Sequence, residues 1–206
     1  MQVSDDDEKN AAHAEAMKAL KAEREALMAS KTDETPGLLL VHTGDGKGKS
    51  TAAFGIVARA LGWGQQVGIV QYIKGKWITG ERQFFNRFPD QLRWEVMGEG
   101  FTWDTQDRAR DIAAAQAAWA LSLEMLADPK LDLVLLDELN IALRYDYLDI
   151  EQVVADLQAR PRDKHVVITG RNAKPELIAI ANLVTEMTLV KHPFDQGIKA
   201  QRGLDF

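Results

Sequence analysis

The sequence contains no cysteine, which removes a disulfide framework, thiolate zinc sites and cysteine nucleophiles together. It has no apolar run near the roughly 20 residues that span a bilayer, and Met1 to Glu8 is acidic and polar where a secretory signal is basic and then apolar. Long basic runs are also missing. With a formal net charge of −6, the chain advertises no surface for duplex nucleic acid or for an anionic membrane. Its four histidines, His13, His42, His165 and His192, have no metal-ligand spacing, and His42 and His165 read as strand residues with a satisfied hydrogen bond. There is no internal repeat and no serine hydrolase elbow. These exclusions leave the expectation of a soluble, cytoplasmic protein, whose 206 residues, 46% of them hydrophobic, suffice for one large domain with a substantial core.

The first 35 residues stand apart. They hold nine acids against five bases and no aromatic residue, so they are not core. Lys9 to Ser30 is rich in Ala, Glu, Lys and Leu and predicts a helix with a thin apolar seam of Met17, Leu20, Leu27 and Met28. Thr35-Pro36-Gly37 punctuates the chain, giving an acidic helical extension over 1–35 and an α/β domain over 36–206.

That domain opens on Leu38 to His42, a buried strand, which feeds Thr43-Gly44-Asp45-Gly46-Lys47-Gly48-Lys49-Ser50-Thr51. Alternating glycines let a backbone fold tightly and aim several N–H groups at one anion. Lys49 would reach phosphate oxygens and Ser50 would bind Mg²⁺, with the N-terminus of the following helix, Ser50 to Leu61, adding partial positive charge. The match to G-x-x-x-x-G-K-[ST] departs at Thr43, which stands where the first glycine is usual.

Beyond the loop, strands are predicted over Val67–Tyr72, Leu92–Met97, Leu131–Leu136, His165–Thr169 and Val184–Val190. Helices fall over Glu81–Phe88, with Phe84, Phe85 and Phe88 inward; over Gln106–Ala127, capped by Asp104 or Thr105; and over Ile150–Ala159 and Pro175–Ala181. The strand from Leu131 ends in Asp137-Glu138, the acidic half of a P-loop site: one carboxylate holds Mg²⁺ or its water, and the other activates a water or orients groups around the metal. Arg171 follows the next strand, where phosphates or a carboxylate-bearing substrate could be met. Phe101 and Trp103 lie where a strand hands over to a helix, on the side where open α/β sheets bind ligands. The pattern gives a mostly parallel, P-loop NTPase-like (RecA-like) sheet with helices on both faces that binds a nucleoside triphosphate with Mg²⁺. It does not choose among a kinase, an ATPase and a nucleotide-dependent binding module.

Residues 43–55, Gln71-Tyr72-Ile73-Lys74-Gly75, Gly100-Phe101-Thr102-Trp103, Leu136-Asp137-Glu138-Leu139, Ile168-Thr169-Gly170-Arg171 and the tail Lys191 to Gln201 together closely resemble the CobA/BtuR-type ATP:corrinoid adenosyltransferases. The resemblance runs from about Gly37 to Phe206. Thr43 belongs to that family's own variant of the loop, and Ser50 stands where the family more often has threonine.

The resemblance implies transfer of the 5′-deoxyadenosyl group of ATP to the cobalt(I) of a reduced corrinoid (cobalamin, cobinamide or cobyrinic acid diamide), with triphosphate leaving. Thr43 to Thr51 with Glu138 and Arg171 would hold the nucleotide, and Ser50 and Asp137 would surround Mg²⁺, with Mn²⁺ an alternative. By analogy with the family motif, Phe101 and Trp103 would be the catalytic aromatics that press on the lower corrin face and leave four-coordinate cobalt(II) for reduction. An electron donor such as a flavodoxin or flavin reductase, and a homodimer in which the N-terminal helix of one subunit covers the corrinoid pocket of the other, are implied as well.

Overall fold

The structure is a computed structural model that describes residues 5–31, 36–73, 79–97 and 107–205. The chain divides into two compact units, Met1–Thr35 and Pro36–Phe206. The first is one helix, α1 (Asp5–Ala29). Its acidic start complements the positive end of the helix dipole, and an i,i+4 pair, Lys21 with Glu25 at 3.7 Å, lies on its surface. Among the described residues of this unit no second element is present against which the helix could bury Met17, Leu20, Leu27 and Met28.

The second unit is built on six parallel strands: β1 (Leu39–Thr43), β2 (Val67–Gln71), β3 (Leu92–Val96), β4 (Leu133–Asp137), β5 (His165–Thr169) and β6 (Leu183–Glu186). They lie in the order β3-β2-β4-β5-β1-β6, the P-loop, RecA-like arrangement in which β5 separates the strand before the phosphate loop from the strand that ends in the acidic pair. Among the described residues the helices of this unit are α2 (Lys49–Gly62), α3 (Gly80–Phe85), α4 (Arg108–Ala127), α5 (Leu139–Arg144), α6 (Ile150–Ala159) and α7 (Pro175–Ile180).

Successive residues of a strand face opposite ways, and here each face meets its own helices. Leu133, Leu135, Val167 and Ile69 join Ala53, Phe54 and Val57 of α2, whereas Val134, Leu136, Val166, Ile168 and Val70 join Ala118, Trp119 and Met125 of α4 and Val153 and Leu157 of α6. Burying one such side chain stabilises the fold by about 1.5–3 kcal/mol. Strands covered on both faces read as continuous apolar runs, and β2 and β4 are buried throughout. At the edge, β6 is exposed along its length.

Several local expectations change. The helix after residue 106 starts at Arg108, capped by Asp107, whose Oδ1 accepts from the Arg110 amide at 3.1 Å; Asp104 and Thr105 lie outside the described residues. Helix α3 stops at Phe85, which is buried, and Phe88 beyond it is partly buried against the same core. Phe84 is instead 47% exposed and meets Phe85 edge-on, because adjacent helical residues point about 100° apart and cannot both face inward. The last strand ends at Glu186 rather than Val190, where its pairing with β1 runs out. Helix α5 and a 3₁₀ turn over Pro193–Gln196 have no counterpart in the sequence reading.

Candidate active site

The carboxyl ends of β1, β2, β4 and β5 converge. The register places Gln71 opposite Asp137 and His42 opposite Thr169, so the polar ends of four strands form one row. Asp137 is 2% exposed, and both of its oxygens are held: Oδ1 accepts from the Thr169 hydroxyl at 2.8 Å and Oδ2 from the Gln71 amide at 2.9 Å. Thr169 Oγ1 in turn accepts from the Glu138 amide at 2.9 Å. A buried carboxylate needs such donors. Gln71 and Thr169 therefore set the orientation of the Asp137 carboxylate, and Thr169 also holds the Glu138 backbone, roles with no signal in the sequence.

Glu138 takes a left-handed backbone conformation, φ 64° and ψ 21°, at the start of α5. A non-glycine residue in that region costs of order 1–3 kcal/mol, and here it turns the chain from β4 so that Glu138 parts from Asp137. Burial, followed by the neighbouring Asp137 charge, pushes its carboxyl up to about 7 against the opposing pull of Lys49 and Arg171. Glu138 is thus the acid of the pair whose field meets Lys49 of the loop and Arg171 beyond β5.

The phosphate loop wraps against the chain that leaves β6. The Gly46 amide donates to the Met187 carbonyl at 2.7 Å, and the Met187 amide to the Thr43 carbonyl at 2.9 Å. A Cβ on Gly46 would lie 2.7 Å from the carbonyl oxygens of Met187 and Thr188, so only glycine fits. Gly48, at φ 109°, turns the chain into α2. Thr43 has a positive use: it is buried, and its Oγ1 accepts from the Ala173 amide at 3.0 Å, tying the loop to the segment that carries Arg171. A glycine there could not make that bond.

Lys49 is 7% exposed, and its Nζ donates to the Gly46 carbonyl at 2.6 Å. Its ammonium is held below the ordinary lysine value first by burial and then by Arg171, with Glu138 and Asp45 opposing. His42 Nδ1 lies 3.3 Å from the Lys49 carbonyl, and since a carbonyl only accepts, that nitrogen carries the proton. Ser50 lies in the first turn of α2, one residue after Lys49, Gly44 is buried, and Asp45, Thr51 and Arg171 are exposed. Lys47 is exposed and pairs with Asp205 of the tail. Asn140 is fully buried; its Nδ2 donates to the Gly170 carbonyl at 2.9 Å, while its Oδ1 has no partner among the described residues. No sequence signal distinguished it. Phe101 and Trp103, and Lys74 to Ile78, lie outside the described residues.

Against known proteins, residues 35–206 match the model of the family described as ATP:corrinoid adenosyltransferase BtuR/CobO/CobP. The chain belongs to that family. It is 56% identical to a corrinoid adenosyltransferase of Pseudomonas aeruginosa over 99% of this chain and 100% of that one. Against a corrinoid adenosyltransferase of a Sinorhizobium species it is 54% identical over 96% of this chain and 92% of the other. The Salmonella typhimurium corrinoid adenosyltransferase CobA shares 49% over 86% and 89% of the two chains. A solved structure, domain III of the Thermotoga maritima replication initiation protein DnaA, covers 82% of this chain and 61% of that one at TM-score 0.37 and 12% identity, a level that bears on neither fold nor function.

As an ATP:corrinoid adenosyltransferase, the protein is an enzyme that moves an adenosyl group from ATP to a corrinoid. The loop, the acid pair and Arg171 all lie within the matched residues. Among the described residues, no helix is long and apolar enough to cross a membrane, and no group of three or more His, Asp or Glu could hold a metal ion.

Proposed function

We propose that the loop holds ATP by its triphosphate, on Lys47, Lys49 and the amides between Gly44 and Thr51, so that C5′ faces the cobalt(I) of a reduced corrinoid. Cobalt(I) supplies the electron pair for the new cobalt–carbon bond; the C5′–O5′ bond breaks and its pair leaves on the oxygen of triphosphate. The observation that carries this reading is the setting of Lys49: a buried ammonium whose acceptor is a carbonyl of its own loop, flanked by Arg171 and Glu138. An ammonium has three donors, so Lys49 can keep the Gly46 carbonyl and still donate to a phosphate oxygen. The nucleophile belongs to the corrinoid, so the protein's part is to orient two substrates and to stabilise charge on the leaving group. Holding reacting atoms in register can supply roughly 7–11 kcal/mol of a barrier, and donors aimed at the leaving charge add to it.

The donor set suits Mg²⁺: a hydroxyl at Ser50 and a carboxylate at Asp137, oxygen ligands too few to hold the ion alone, as expected of a metal that completes its shell with water and substrate phosphates. Mn²⁺ would accept the same donors. When bound, the ion would neutralise charge on the departing triphosphate. Asp137 keeps spare lone pairs while Thr169 and Gln71 fix its plane, and Glu138 orients groups around the site together with Arg171. Phe101 and Trp103 are assigned to the lower corrin face, where apolar surface displaces the axial ligand and eases reduction of cobalt(II) by a flavodoxin or flavin reductase. A homodimer completes the reading.

The test is product analysis of the protein with Mg-ATP and chemically reduced cobalamin, anaerobically and in the dark. Light-sensitive adenosylcobalamin with intact triphosphate is expected; ADP or free phosphate with unchanged corrinoid would instead mark a kinase or hydrolase. Phe101→Ala and Trp103→Ala should lose most cobalt(II) reduction in the coupled assay while transfer from pre-reduced cobalt(I) persists. Equal losses in both assays would remove the aromatic pair from the reduction step.

A further inference from the structure

The tail returns to the phosphate loop. After β6 it forms the 3₁₀ turn Pro193–Gln196, with His192 Nδ1 accepting from the Phe194 amide at 3.0 Å, and reverses at Gly197, φ 75°. It ends with Asp205 against the loop: Oδ2 accepts from the Gln201 amide at 2.8 Å, and Oδ1 accepts from Lys47 Nζ. The partners are 158 residues apart in sequence, so no local geometry imposes the contact.

Lys47 and Lys49 therefore both carry acceptors from the protein, but of different kinds. Lys49 has a neutral carbonyl, which a phosphate oxygen replaces at no cost in charge. Lys47 has a carboxylate. The Lys47 hydrogen bond, with help from the Gln201 amide, holds Asp205 below the ordinary carboxylate range, so it is ionised at neutral pH, and a polyanion reaching the loop meets a like charge on one of its lysines. The Lys47 side chain is about half exposed, and exposed ion pairs are weak enough to exchange.

We infer that Asp205 competes with the triphosphate for Lys47, so that the tail lowers the affinity of the loop for polyanion and promotes release of the leaving triphosphate. The inference rests on the reading that the loop binds the triphosphate of ATP. It makes Asp205 a residue that acts on the leaving group through Lys47 rather than by touching the reacting atoms.

Isothermal titration with inorganic triphosphate, and separately with ATP, both with Mg²⁺, tests it. Asp205→Asn keeps an oxygen for the Gln201 amide and removes only the charge, so the tail turn survives. Triphosphate should bind this variant roughly two- to fivefold more tightly than wild type at low salt, in line with the worth of one exposed pair, and the gain should shrink in high salt. On a Lys47→Ala background the same substitution should change nothing. Unchanged or weaker binding by Asp205→Asn, or an equal gain without Lys47, overturns the inference. If wild type binds neither ligand, the loop reading itself fails; if wild type binds both and Asp205→Asn does not tighten, only the competition fails.

Discussion

Among the described residues two lysines are buried, at opposite ends of the sheet, and only one lies at the proposed site. Lys164, 3% exposed, precedes β5 at the amino end and donates to the Asp128 carbonyl at 2.7 Å and to the Leu131 carbonyl. Beside it Arg160 donates to the carbonyls of Leu157 at 2.6 Å, Gly37 at 3.1 Å and Lys164 at 3.2 Å. These cations close the ends of α4 and α6 and fasten the start of β1. Lys49 at the carboxyl end is buried to a similar degree, and burial is the first cause holding either ammonium below its ordinary value. The surroundings differ. Both have carboxylates nearby, Asp163, Asp128 and Asp132 for Lys164 and Glu138 and Asp45 for Lys49, but Lys164 is held by two backbone carbonyls, whereas Lys49 has one loop carbonyl and two further cations, Arg171 and Lys47, around it. A buried cation marks a site when its acceptors can be exchanged for a ligand, and a scaffold when they cannot.

Substituting each lysine should separate these roles. Lys49→Ala should lower kcat/KM for ATP by about a hundred- to a thousandfold, the usual effect of removing one donor to a developing charge, with thermal melting little changed. An activity loss that merely tracked lost folded protein would erase the contrast. Lys164→Met should show the reverse: the buried Leu131 carbonyl loses its donor and the Asp128 carbonyl keeps only the Leu131 amide, which costs about 1–3 kcal/mol of stability in denaturant titration, while kcat/KM per folded molecule holds. A catalytic defect at full stability would bring Lys164 into the site.

Glu138 sharpens the comparison from the acidic side. Its carboxyl sits at about 7 in the fold against an ordinary 4.5, so the folded state binds the extra proton between those values. Stability should fall as pH rises through that window, and the favourable term is lost above it. Measured in EDTA without nucleotide, Glu138→Gln should match wild type near pH 4.5 and exceed it by about 2 kcal/mol at pH 8, a figure held below the full shift because the side chain is partly exposed. A constant difference across pH would mean that Glu138 is not pressed by burial and Asp137.

The loop was legible because its chemistry is local: glycines at close approaches, a lysine and a hydroxyl at fixed offsets, and a strand and a helix on either side. The acid pair was legible because Leu133 to Leu136 form an uninterrupted apolar run that stops at Asp137. Helix α5 escaped because the residue before it, Glu138, enters from the left-handed region and makes no side-chain cap, so the helix carries no start signal. Phe84 was misplaced inward because three aromatics at 84, 85 and 88 look alike in sequence, and only the packing of Phe85 with Phe54 and Trp94 shows which of them finds a cavity to fill. Gln71 and Thr169 are ordinary strand-end residues until the pairing of β2, β4 and β5 brings both to the same carboxylate.

By itself the sequence determined the succession of strands and helices, the two faces of each buried strand and the chemistry of the phosphate loop, since periodicity, capping and turn residues act over a few positions. Tertiary structure alone decided that β5 lies between β1 and β4, that Thr43 ties the loop to the Arg171 segment, and that Asp205 reaches Lys47. Strand order and long-range ion pairs depend on which distant surfaces bury the most apolar area together, and that sum is taken over the whole chain.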